Sequence, residues 1–210
     1  MYTHKKQIEK SGVAAADAKK AIIMLHGRGA TAQSISSLQK YLTLENTIVY
    51  APQATNNSWY PYSFLAPEED NQPALDSALS LIAEIVEEIK GLGIPASEIY
   101  FLGFSQGACL SLEYVARKGM RYGGVVAFTG GLIGEQLDPE NYSGDLQSTP
   151  VLITTGDPDN HVPLSRVEQS VALLEKMNGK VDLKVYKGRM HTIQSEEIQL
   201  ANELVFNSRH

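Results

Sequence analysis

The chain reads as a single α/β domain: a mostly parallel twisted sheet with helices on both faces. Three observations predict it. Short apolar runs alternate with helical patterns from about residue 21 to the end. Most of those runs are continuous rather than alternating, as strands covered on both faces require. One of them, Ile99–Leu102, runs straight into a glycine-flanked serine turn and then a helical pattern. A β-α alternation of this length builds a sheet whose crossovers place helices on either side.

The apolar runs are Ala21–Leu25, Thr47–Ala51, Ile99–Leu102, Gly124–Phe128, Val151–Thr155 and Val181–Tyr186. The clearest helix between them is Asn71–Lys90. There Leu75, Ala78, Leu79, Ile82, Ala83, Val86 and Ile89 share one face, opposite Asp76, Ser80, Glu84, Glu87 and Glu88. Pro73 suits its first turn, where a missing N–H costs nothing. Further helices are expected at about 31–41, 107–118, 163–178 and 195–207, and residues 3–10 are expected to add an antiparallel edge strand. Neither a repeat nor a linker composition interrupts the pattern, so residues 1–210 are expected to form one domain.

Bulk composition narrows the function classes. With 43% hydrophobic and 20% charged residues the 210-residue chain has an ordinary globular make-up. A net charge of −6 without a basic stripe argues against nucleic acid as a partner. The single cysteine, Cys109, allows no internal disulfide and no thiolate cluster, and it reads as a small buried hydrophobe. Neither a secretory leader nor an apolar run long enough to span a membrane is evident, so a cytoplasmic location is expected. No paired histidine spacing suggests a metal, and no cofactor is implied. A homodimer is compatible with these features.

Ligands of such sheets sit outside the carboxyl ends of the strands, so the loops after each run carry the chemistry. Gly103-Phe104-Ser105-Gln106-Gly107 follows a strand and opens a helix. That order is the requirement for a nucleophile elbow, which holds a serine hydroxyl out above the sheet on a strained turn. Side chains at positions 103 and 107 are expected to collide with neighbouring backbone. Serine is a weak nucleophile at neutral pH and needs a histidine to take its proton and a carboxylate to orient that histidine.

The chain order Ser, acid, His is met here. Gly156-Asp157-Pro158-Asp159-Asn160-His161-Val162-Pro163 follows one strand, and Lys187-Gly188-Arg189-Met190-His191-Thr192 follows the next. His191 is the expected base. His4 and His26 precede the serine, His210 ends the chain, and His161 lies within two residues of Asp159 in the same loop. Asp159 is favoured as the carboxylate over Asp157, which can brace its turn; two solvated loop acids are the plain alternative. The oxyanion donors are expected to be the backbone N–H of Gln106 and that of Arg28, in the His26-Gly27-Arg28-Gly29 turn. The Arg28 side chain either meets an acidic substrate or else points into solvent or pairs locally, and His26 reads as a structural residue.

Taken together, His26–Gly29, Gly103–Gly107, Gly156–Asp159 with Val162-Pro163, and Met190-His191 resemble the phospholipase/carboxylesterase family, small α/β-hydrolases that include acyl-protein thioesterases. The resemblance runs from about residue 20 to the end of the chain. It implies Ser105, Asp159 and His191 as the triad, and the Arg28 and Gln106 amides as the oxyanion hole. Two departures bear on substrate: the family usually has an apolar residue where Arg28 stands and proline where Asn160 stands.

The long loop between Pro52 and Pro67 concentrates Trp59, Tyr60, Tyr62 and Phe64. A loop of this length within one domain is commonly a binding loop. Trp59 and Phe64 are expected to contact substrate, and Leu132 with Ile133 to complete an apolar wall. Tyrosine-rich walls favour short-chain or aromatic acyl esters as substrates, cleaved through an acyl-serine. Thioester or lysophospholipid cleavage is the alternative of the same chemistry, and a non-catalytic binding protein is the alternative of another class.

Overall fold

The computed structural model describes residues 2–207, so the expectations for His210 and for the outermost residues of the 1–210 domain lie outside the described residues. Seven strands form one sheet. In chain order they are β1 (Ile8–Gly12), β2 (Lys20–Leu25), β3 (Thr47–Pro52), β4 (Ile99–Phe104), β5 (Gly124–Phe128), β6 (Pro150–Asp157) and β7 (Lys180–Lys187). Their spatial order is β1-β3-β2-β4-β5-β6-β7. All neighbouring pairs are parallel except β1 with β3. The helices are α1 (Ala32–Ser36), α2 (Ala74–Gly91), α3 (Gln106–Lys118), α4 (Leu164–Lys176) and α5 (Ser195–Ala201).

The continuous apolar runs are explained by two cores. Successive strand residues point to opposite faces. Ile23, Leu25, Phe101, Val125 and Ile153 therefore join one core, built with α2, α3 and α4. Their neighbours Ile22, Met24, Leu102, Val126 and Leu152 join the other, where Ile35 of α1 and Ala201 of α5 pack. Each central strand thus feeds two hydrophobic layers, and only residues at its ends, such as Lys20 and Phe104, are half-exposed.

Several boundaries differ from the sequence expectation; the helix expected at about 31–41 is α-helical only over Ala32–Ser36 and continues as a 3-10 turn over Ser37–Tyr41. The edge strand begins at Ile8 rather than residue 3, because residues 2–4 are held elsewhere. Tyr2 donates to the Ser58 carbonyl, and His4 binds Ser77 Oγ through its N–H and the Trp59 carbonyl through its ring. The long helix starts at Ala74, preceded by a short 3-10 turn over Glu68–Asn71. The final helix passes from α5 into a π-helical segment, Asn202–Phe206.

Candidate active site

The site is assembled from the ends of β2, β4, β6 and β7. Ser105 occupies the turn between β4 and α3 with φ 53° and ψ −118°, a strained conformation for a residue with a side chain. Two glycines make that turn possible. A Cβ at position 103 would lie 2.2 Å from the Gly107 carbonyl oxygen, and one at 107 would lie 2.1 Å from that of Leu25. Ser105 is then fixed through its own N–H, which donates to the Phe128 carbonyl.

Three side chains from separate loops meet. Ser105 Oγ lies 2.8 Å from His191 Nε2, and His191 Nδ1 lies 2.8 Å from Asp159 Oδ2. A carboxylate only accepts, so Nδ1 carries the imidazole proton and Nε2 is free to accept from the serine hydroxyl. Asp159 Oδ1 accepts two further bonds, from the N–H groups of His161 and Val162. Burial raises the Asp159 pKa, but the hydrogen bond from His191 and those two N–H groups outweigh it, and the carboxyl is held below its usual value. Asp157 stands at the end of β6, where its carbonyl accepts from Gly188 N–H.

His191 is held in place by contacts the sequence does not advertise. Its neighbour Arg189 is buried, and its guanidinium donates to the carbonyls of Met190 and Thr192 and to Thr129 Oγ1. The same group lies 3.6 Å from the carboxylate of Glu197, which is fully buried at the start of α5. Thr154 and the Gln194 N–H also donate to Glu197. The His191 loop is thereby tied to the end of β5, to the middle of β6 and to the following helix.

A cavity of about 500 Å³ opens over Ser105. Phe64, Tyr60, Tyr62, Phe104 and Val162 supply most of its apolar wall, with His161 and Arg28 alongside. Phe64 lies where the sequence suggests. Trp59 and Leu132 do not: both are fully buried and outside the cavity lining. The Trp59 ring turns inward because its indole N–H is satisfied by the His26 carbonyl and its face packs near His26. Leu132 faces the core beneath α4, its N–H bound to Ser170 Oγ, and Ile133 is likewise buried.

The aromatic loop is rigid by construction. Gln106 Oε1 accepts from Trp59 N–H, and its Nε2 donates to the Tyr60 carbonyl. Asn71 Oδ1 accepts from Tyr62 N–H while its Nδ2 donates to the Ser63 carbonyl. His26 Nε2 accepts from Ala54 N–H, and burial lowers its pKa, which keeps it neutral in a structural place. Cys109 also borders the cavity, yet burial pushes its thiol up to about 12, so it is no thiolate.

Among the described residues, the backbone N–H groups of Arg28 and Gln106 have no hydrogen-bond acceptor. Gln106 is the first residue of α3, where helical N–H groups are unpaired by geometry. Arg28 follows Gly27, whose Cα backs onto Ser105 closely enough that a Cβ there would lie 3.5 Å from the serine Cβ.

A parallel sheet with a strained strand-to-helix serine, and an acid and a histidine from the two following strand ends, defines an α/β-hydrolase. Within that class, the phospholipase/carboxylesterase family model matches residues 7–206, and the chain belongs to that family. It is accordingly a hydrolase of carboxylic esters. A crystal structure of a phospholipase/carboxylesterase from Dyadobacter fermentans is 62% identical, with a TM-score of 0.97 over 99% of each chain. Acyl-protein thioesterase 1 of Debaryomyces hansenii is 31% identical across 86% of this chain and 88% of its own length. A probable carboxylesterase of Arabidopsis thaliana is 27% identical across 87% of this chain and 76% of its own. Among the described residues, no helix is long and apolar enough to cross a membrane.

Proposed function

We propose that Ser105, His191 and Asp159 cleave short-chain or aromatic carboxylic esters through an acyl-serine intermediate. The observation that carries this reading is the continuous hydrogen-bonded chain from Ser105 Oγ through both nitrogens of His191 to Asp159. His191 Nε2 takes the hydroxyl proton as Oγ attacks the carbonyl carbon, and the resulting imidazolium is stabilised by Asp159. The N–H groups of Arg28 and Gln106 receive the oxyanion. His191 then returns the proton to the departing alkoxide, and the C–O bond to the alcohol breaks. Water, deprotonated by the same nitrogen, attacks the acyl-serine and releases the acid.

The cavity volume and the inward Phe64 and Tyr60 rings favour a compact acyl group over a long chain. The thioesterase relatives are named for the same acyl transfer from sulfur, and this mechanism serves that leaving group equally. Ser105→Ala tests the nucleophile. Turnover of para-nitrophenyl butyrate is expected to fall by at least about a millionfold, as when such a triad serine is removed, with circular dichroism unchanged. Undiminished turnover, or failure of a fluorophosphonate to label wild-type Ser105, would overturn the reading.

A further inference from the structure

The cavity over Ser105 contains a fixed positive charge that the ester-cleaving reaction does not use. Arg28 lines it at the mouth, and its guanidinium is clamped by three oxygens. Nη1 donates to Ser58 Oγ at 2.9 Å and to the Pro61 carbonyl at 2.8 Å, and Nη2 donates to the Tyr62 carbonyl at 2.5 Å. All three acceptors are neutral. Among the described residues no carboxylate lies within 4.0 Å of this guanidinium, and no acidic residue lines the cavity.

That arrangement is unusual for a chain of net charge −6. Most arginine partners here are acids or buried carbonyl clusters: Arg117 pairs with Glu113 and Glu68, and Arg189 with Glu197. Arg28 has neither an acid nor burial. The clamp removes rotamer freedom in advance, while Nε–H and the second Nη2–H have no acceptor among the described residues. Two free guanidinium donors match the oxygens of a carboxylate. His161 lines the same cavity, its ring centroid 5.0 Å from that of His191. The Asp159 carboxylate beside these rings is already engaged by His191 and two N–H groups.

We propose that Arg28 makes this cavity selective for esters that carry a second, free carboxylate, such as monoesters of dicarboxylic acids or esters of hydroxy acids. The inference rests on Ser105 being the esterase nucleophile, and it adds the substrate class. The anion sits in one of two places, beyond the acyl carbon or on the alcohol.

Two matched pairs separate these. The acyl arm compares para-nitrophenyl hydrogen adipate with para-nitrophenyl methyl adipate. The alcohol arm compares para-acetoxybenzoate with its methyl ester. In one arm kcat/KM for the acid is expected to exceed that for the neutral ester by about fivefold at low salt, the upper end for an exposed charge pair. This ratio should shrink in about 0.5 M salt, where the Debye length is a few ångströms. Arg28→Gln should bring the ratio to near one and Arg28→Lys should keep part of it, whatever either does to the absolute rates.

The ratio and its salt dependence are properties of the wild-type enzyme, so they decide the matter even if a variant misfolds. Efficient cleavage of the neutral esters with no preference for the acid in either arm would overturn the proposal and leave the esterase reading intact. A preference that persists unchanged in Arg28→Gln would overturn the assignment to Arg28. No cleavage of any ester together with no fluorophosphonate labelling of Ser105 would remove both.

Discussion

Arg189→Met isolates the device that holds the proposed general base. The guanidinium and the Glu197 carboxylate are both buried, with side-chain exposures of 2% and 0% and a separation of 3.6 Å. At that distance, an effective dielectric of about 20 gives an attraction of about 5 kcal/mol. Deleting one partner of a buried pair costs about 3–5 kcal/mol because the other charge is stranded. For a domain of this size that amounts to a fall in melting temperature of about 10–15 °C. Adding Glu197→Gln should restore most of it. A glutamine there can accept from Gln194 N–H with its oxygen and donate to Thr154 Oγ1 with its nitrogen, so no charge is stranded at position 197.

Activity should separate from stability in this cycle. The carbonyls of Met190 and Thr192 lose their donor in both variants, and His191 sits between them. A turnover loss of about tenfold or more is expected in the single and the double variant alike, since small misplacements of a catalytic group are costly. Thermal unfolding followed by circular dichroism, with para-nitrophenyl butyrate turnover on the same samples, measures both. If the double variant melts as low as the single one, a stranded Glu197 charge is not the cause. If the single variant turns over normally, Arg189 does not position His191.

Asp159→Asn and Asp157→Asn should differ sharply. The first reverses the imidazole tautomer and is expected to lower kcat by about 10⁴-fold, as in other Ser-His-Asp sites, whereas the second should stay within a few-fold; steady-state kinetics with the opposite ranking would move the acid to Asp157. A pH series of melting temperatures tests Glu113, a fully buried acid that contacts Arg117, Tyr142 and the Ile133 N–H. Burial raises its pKa against the pull of Arg117 and the Ile133 N–H. Its contribution is therefore fully present below the ordinary carboxylate pKa of about 4.3 and is lost as pH rises through the raised value. Glu113→Gln should flatten the stability profile across that window, and an unchanged slope would contradict the assignment. Asp159, with its pKa depressed, acts in the opposite sense and at lower pH.

The parts that were legible in the sequence are those governed by short-range pattern. Strand runs at Ala21–Leu25 and Ile99–Leu102, the amphipathic stripe of α2, and the glycines around Ser105 each announce themselves within a few residues. The apolar runs are continuous because two cores require it, and the 103 and 107 glycines are needed because backbone passes within van der Waals reach. Trp59 shows where such reasoning stops. An aromatic residue in a long loop fits a cavity wall and a core anchor equally well, and only the position of the His26 carbonyl decides which way the indole turns.

By itself, the sequence determined the layered α/β architecture, the elbow, and the order in which serine, acid and histidine appear, because periodicity, glycine sterics and chain order are local properties. Tertiary structure decided what those residues touch. It joined Ser105 to His191 and Asp159 across separate loops, paired Arg189 with Glu197, and used the Gln106 side chain to pin the aromatic loop. It also left Arg28 clamped and without an acid. Hydrogen bonds and charge pairs are satisfied by whichever group the fold brings within about 3–4 Å, and residues decades apart in the chain carry no mark of that meeting until the sheet has formed.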